Sequence, residues 1–168
     1  MVTKSLAYMA TALTFAGVLA LASSTWAEET TQVSGKSFCK TVEQHALPLE
    51  GDPDHVLIAE KSTCTVKSPS TVFDGGQQAG VDIADLVKGS GPVRGHIFNK
   101  FKGGSGYTNI TGFVSTEMRE GKPHTTVTGV WEFTSGTIGA ARGTYRIEPT
   151  SQTEAVVEWQ GTLAQAIK

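Results

Sequence analysis

Five successive segments between Pro92 and Leu163 each place a glycine on the side that also carries their large apolar residues: Gly95, Gly112, Gly129, Gly143 and Gly161. Glycine weakens a strand, because it costs backbone entropy and brings no side chain to pack. Five of them on one face make sense where a sheet must bend sharply, as in a small closed barrel. The competing arrangement is an open sandwich in which the glycines are bulges. A sandwich keeps its edges and has less need of inward glycines. The expected class is therefore all-β, a small closed antiparallel barrel of about six to eight strands.

Alternation along the segments carries the same message. Val127, Gly129, Trp131 and Phe133 face one way, with Thr126, Thr128 and Glu132 opposite. Val93, Gly95, Ile97, Asn99 and Phe101 share a face, as do Ile110, Gly112, Val114, Thr116 and Met118. Tyr145 and Ile147 point inward in the next segment, and Val157, Trp159 and Leu163 in the last. Arg119-Glu-Gly-Lys-Pro123 reads as a hairpin connection, with Gly121 where positive φ is needed. Between Ser68 and Gly80 the chain reads as a loop with one short strand at Ser70–Phe73. Val81 to Lys88 reads as a short strand or a helical turn.

The first 27 residues read as a secretory leader. Lys4 precedes an uncharged, Ala- and Leu-rich run from Leu6 to Ala22, and Thr25-Trp26-Ala27 puts small residues at −3 and −1 of a cut. An uncleaved anchor is the alternative, but the run is short for a spanning helix. Removing 27 of the 168 residues leaves 141, one domain by length. Residues 28–54 read as flexible or irregular, with a weakly helical stretch at Thr41–Ala46, and the barrel is expected over 55–168. Thirteen basic residues then face 16 acidic ones with no basic stripe, which argues against a nucleic-acid partner. No second long apolar run follows, so no membrane association is expected after cleavage. The expected location is periplasmic or secreted. The only two cysteines, Cys39 and Cys64, are expected to form a disulfide in an oxidising compartment. The alternative is a pair of buried thiols.

The fragments Asp85-Leu-Val-Lys-Gly-Ser-Gly-Pro92, Gly121-Lys-Pro123, Thr125-Thr-Val-Thr-Gly-Val-Trp131, Ser135-Gly-Thr137, Arg142-Gly-Thr-Tyr145 and Val157-Glu-Trp159 follow one another in order. Their succession resembles a group of small exported bacterial proteins of unassigned function. The architecture of that group is similar to the allene oxide cyclase and dirigent-like barrels, relatives in shape of the calycins. The resemblance spans residues 55 to 163 and rests on turn and packing motifs. It implies a fold, and no catalytic residue carries over with it. Where that group has Gly-Thr-Gly, this chain has Gly136-Thr-Ile-Gly139, an altered turn before Gly143.

Catalytic signatures are absent. There is no His-Glu-x-x-His, no Gly-x-Ser-x-Gly elbow and no phosphate-binding Gly-x-x-x-x-Gly-Lys-Ser/Thr. Gly89-Ser-Gly-Pro-Val-Arg-Gly95 lacks the following helix that a dinucleotide loop requires. His45, His55, His96 and His124 have no mutual metal-ligand spacing and read as surface histidines. No cofactor and no metal are expected. Glu60 is the polar residue of most interest. If its strand keeps period two, the carboxylate points inward beside Val56 and Ile58; a one-residue bulge would send it to solvent. The expected ligand-binding set is Glu60, Asn99, Thr116, Trp131, Tyr145 and Trp159, the aromatics serving as wall or as plain core.

Three functions fit these residues. The foremost is an exported, non-enzymatic barrel that binds a small apolar or amphipathic molecule. A filled structural barrel, dimeric through Phe113, Val130 and Val156, is the second. A cyclase-like enzyme that folds a reactive substrate inside the barrel is the third.

Overall fold

The structure is a computed structural model that describes residues 30–164. The expected leader at 1–27 lies outside the described residues. Eight strands follow in order: β1 (Thr30–Leu49), β2 (Asp52–Lys67), β3 (Gln77–Val87), β4 (Gly91–Phe101), β5 (Gly104–Arg119), β6 (Lys122–Gly136), β7 (Ala141–Pro149) and β8 (Glu154–Ala164). Each pairs antiparallel with the next, and β8 pairs back onto β1, so the sheet closes. The fold is an eight-stranded antiparallel barrel, with no helix among the described residues.

Tight turns set the register of two hairpins. Glu120 and Gly121 have φ of 51° and 76°, and Lys88 and Gly89 have 52° and 77°. Two consecutive residues with positive φ form the turn whose twist matches that of antiparallel strands.

The barrel starts earlier than the sequence suggests. Within the segment expected to be flexible or irregular, Thr30–Leu49 form β1, and the stretch Thr41–Ala46 is extended rather than helical. The inner side of β1 runs Val33, Gly35, Ser37, Cys39, Thr41, too small and polar to show apolar alternation. Pairing on both sides imposes the strand instead: Lys36–Lys67 to β2, and Thr30–Ala164 through Lys40–Glu154 to β8. Beyond Lys40 the β8 partner ends, and after a bulge between Thr41 and Glu43 the rest of β1 pairs with β2 alone. Cys39 and Cys64 are register partners joined by a disulfide, with Cα atoms 4.0 Å apart. A cross-link over this separation contributes about 3.5 kcal/mol in the chain-entropy model.

The segment at 81–88 belongs to an eleven-residue strand, β3. Ala84 and Leu86 are buried, whereas Val81, Ile83 and Val87 are exposed on the outer face. Residues 70–73 form a turn rather than a strand. That loop drops Phe73, 2% exposed, into the end of the barrel against Phe101 at 5.1 Å and Trp159 at 5.6 Å between ring centroids. Hydrogen bonds from Gly75 N–H to the Val66 carbonyl (3.0 Å) and from Ser68 Oγ to the Ser34 carbonyl (2.6 Å) pin it there.

The glycines lie on the concave side, and aromatic rings occupy the space they free. A Cβ at Gly35 would overlap Trp159, one at Gly161 would overlap Trp131, and one at Gly129 or Gly112 would overlap Tyr145. Gly143 and Gly161 face each other so closely that backbone meets backbone. The core splits in two. One cluster, around Phe73, Phe101, Trp131 and Tyr145, fills the Phe73 end. The second, Ala84, Leu86, Val93 and Val114 with Val56, Ile58 and Val127, draws on β2 to β6.

Candidate functional site

A cavity of about 150 Å³ lies among the side chains of the first cluster. All eight strands contribute to its wall. The aromatic part is Phe133, Trp131, Tyr145 and Trp159, closed off by Phe73 and Phe101. Trp131 and Trp159 meet edge to face, with centroids 6.1 Å apart. Their indole N–H groups are committed, Trp131 to the Thr144 carbonyl (3.1 Å) and Trp159 to Ser37 Oγ (3.2 Å). Both rings therefore offer the cavity faces and edges, without a donor. The disulfide forms part of the opposite wall.

Of the six residues expected at a ligand site, five border this space: Glu60, Asn99, Trp131, Tyr145 and Trp159. Thr116 does not. It lies near the end of β5, where its hydroxyl donates to the Gly89 carbonyl (2.7 Å) and meets Thr125 Oγ1 at 2.9 Å. Strand parity placed Thr116 on the inner side, but β5 runs past the cavity, and Met118, two residues on, is 69% exposed. Asn99 borders the cavity with its polar atoms already used. Its amide donates to Thr108 Oγ1 (2.8 Å) and to the Gly106 carbonyl (3.2 Å), and its Oδ1 accepts from Gln78 Nε2 (2.9 Å). That network braces β3, β4 and β5 against one another.

Glu60 keeps the inward register. It accepts from Thr41 Oγ1 (2.9 Å) and Gln44 Nε2 (3.1 Å), both on β1. Directly opposite it on β3 stands Asp82. Asp82 shares the inner face of β3 with Gln78, Ala84 and Leu86 and fits over Gly95, where a Cβ would strike the Asp82 side chain. Sequence reading missed Asp82, because the apolar Val81 and Ile83 on either side are the outward residues. Its carboxyl is pushed up to about 7, first by burial and then by the Glu60 charge beside it. Among the described residues, no lysine, arginine or histidine pairs with Glu60 or Asp82.

The third polar group is Tyr145. The residue is 6% exposed, and its hydroxyl is the one buried side-chain polar atom without a hydrogen-bond partner among the described residues. Burial, and secondarily the Asp82 charge, push its phenol up to about 12, so it stays protonated. The site thus joins an aromatic wall to the Glu60 carboxylate, with Asp82 facing Glu60 from β3 and the buried Tyr145 phenol holding spare hydrogen-bonding capacity. Such an interior can bind and orient a small molecule.

Comparison with known proteins yields no matching family model, no matching characterised protein and no matching solved structure.

Proposed function

We propose that this protein is an exported, non-catalytic binding module that holds a small apolar or amphipathic molecule inside its barrel. The observation that carries the reading is the 150 Å³ cavity walled by Phe133, Trp131, Tyr145 and Trp159, with polar groups gathered beside Glu60. Binding pockets combine apolar walls with a few oriented polar groups in this way. The volume suits one small ring or a short chain: an apolar cavity of about 150 Å³ accommodates benzene. The leader-like residues 1–27 and the Cys39–Cys64 disulfide support a periplasmic or secreted location. The resemblance to allene oxide cyclase and dirigent-like barrels supports the architecture and supplies no reaction.

The test is native mass spectrometry of protein purified from its own host, joined to titration with toluene followed by tryptophan emission. The expected results are a retained small molecule or a saturable emission change that Val157→Phe, which fills the cavity, abolishes. Protein that carries no added mass and gives no saturable response overturns the reading.

A homodimer through the outer wall is a second reading. It is favoured by Phe98, Tyr107, Phe113 and Val130, all more than 40% exposed, with Phe98 and Tyr107 in ring contact at 5.2 Å. Val156, expected to join them, is half-buried. Sedimentation of the wild type and of Phe113→Ser tests it: a monomeric wild type sinks it.

A further inference from the structure

The charge inside the barrel is one-sided. Glu60 and Asp82 face each other across β2 and β3, and the lysines, arginines and histidines that form ion pairs are tied to other carboxylates. Thr41 and Gln44 supply neutral donors to Glu60 alone. A carboxylate taken out of water is costly unless a cation and further hydrogen bonds meet it. Nothing in the described residues supplies that cation to Asp82.

The second observation is independent of the acid pair. The Tyr145 hydroxyl is buried, unpartnered and close enough to Asp82 to feel its charge. A buried hydroxyl without a partner is a cost that a bound donor would relieve. Its oxygen can accept a hydrogen bond, as can both carboxylates. Of these, Glu60 presents its acceptors to the cavity and the Tyr145 ring borders it, while Asp82 stands beside Glu60 on the inner face of β3. The rings of Trp131, Tyr145 and Trp159 add the negative faces that attract cations.

We infer that the cavity takes a small organic cation: a protonated primary amine on a compact aromatic or alkyl body, its ammonium directed toward Glu60, with the Asp82 carboxylate behind it, and its body against the aromatic wall. The ammonium answers the carboxylate charge that no cation among the described residues meets at Glu60, and the body matches a cavity the size of one ring. A carboxylate ligand of the same shape would meet like charge. A neutral alcohol would fill the space without answering the charge. This inference rests on the reading of the cavity as a ligand site.

The experiment compares benzylamine, benzyl alcohol and benzoate as probes. Binding is followed by calorimetry and tryptophan emission at pH 8 on the wild type, on Glu60→Gln and Asp82→Asn, and on the double variant, each checked by near-ultraviolet circular dichroism. The expected result is benzylamine at least tenfold tighter than benzyl alcohol, and benzoate without binding. In the double variant, the preference for benzylamine over benzyl alcohol disappears. Equal affinity for amine and alcohol in the wild type, or a preference for amine that survives in the double variant, overturns the inference and leaves the cavity reading standing. No binding by any of the three probes overturns the cavity reading and this inference together.

Discussion

The hydroxyl of Tyr145 on β7 ends against Gly112 of β5, two strands away, where any side chain at residue 112 would overlap it. Gly129, on the strand between, clears the path by the same means. Two glycines thus let a phenol lie flat along the wall and deliver its polar tip to a place with no protein partner. Removing the hydroxyl removes an unmet desolvation cost. Tyr145→Phe is expected to stabilise the ligand-free protein by about 1 kcal/mol in urea denaturation. A loss of stability of that size would mean that the hydroxyl has a partner.

Asp82 ties stability to pH. Its carboxyl titrates near 7 in the folded protein against 3.8 for an unburied aspartate, so the folded state holds the extra proton between those values. Its contribution to stability is complete below about pH 4 and is lost as pH rises through 7. The loss is on the order of 4 kcal/mol. Asp82→Asn abolishes this dependence: denaturation midpoints should match the wild type near pH 4 and exceed it at pH 8. The same difference at both pH values would show that Asp82 is not held protonated by burial.

Phe73 closes one end of the barrel from a loop, so it acts on both stability and access. Phe73→Ala is expected to cost about 3–5 kcal/mol. It should also shift tryptophan emission to the red, because Trp159 loses the ring that covers it. A variant as stable as the wild type would show that the loop does not seal the end.

The sequence reports faces better than heights. Period-two alternation puts Trp131, Tyr145, Trp159 and Glu60 inside, and the wall bears this out. It also puts Thr116 inside, although β5 carries that residue beyond the cavity. Nothing in parity tells how far along a strand the hollow extends. Asp82 stayed hidden because the outer face of β3 is as apolar as an inner one, with Val81 53% and Ile83 45% exposed. β1 stayed hidden for the opposite reason, since Gly35, Ser37 and Thr41 line an inner face without bulk. Phe73 had no periodic signal at all. Its place is fixed by loop hydrogen bonds that only the assembled barrel supplies.

The seam between β1 and β8 brings together residues as far apart as Ser37 and Trp159, 122 positions along the chain. Cys39–Cys64 does nothing to shorten that distance, because it staples β1 to its own hairpin mate. Ring closure must therefore wait until β8 has left the ribosome, and it carries the entropy of joining remote segments. Until then both terminal strands expose bare backbone borders, the sort of surface that invites exchange with a neighbouring molecule. A chain with this topology would gain from an escort that shields those borders while it folds.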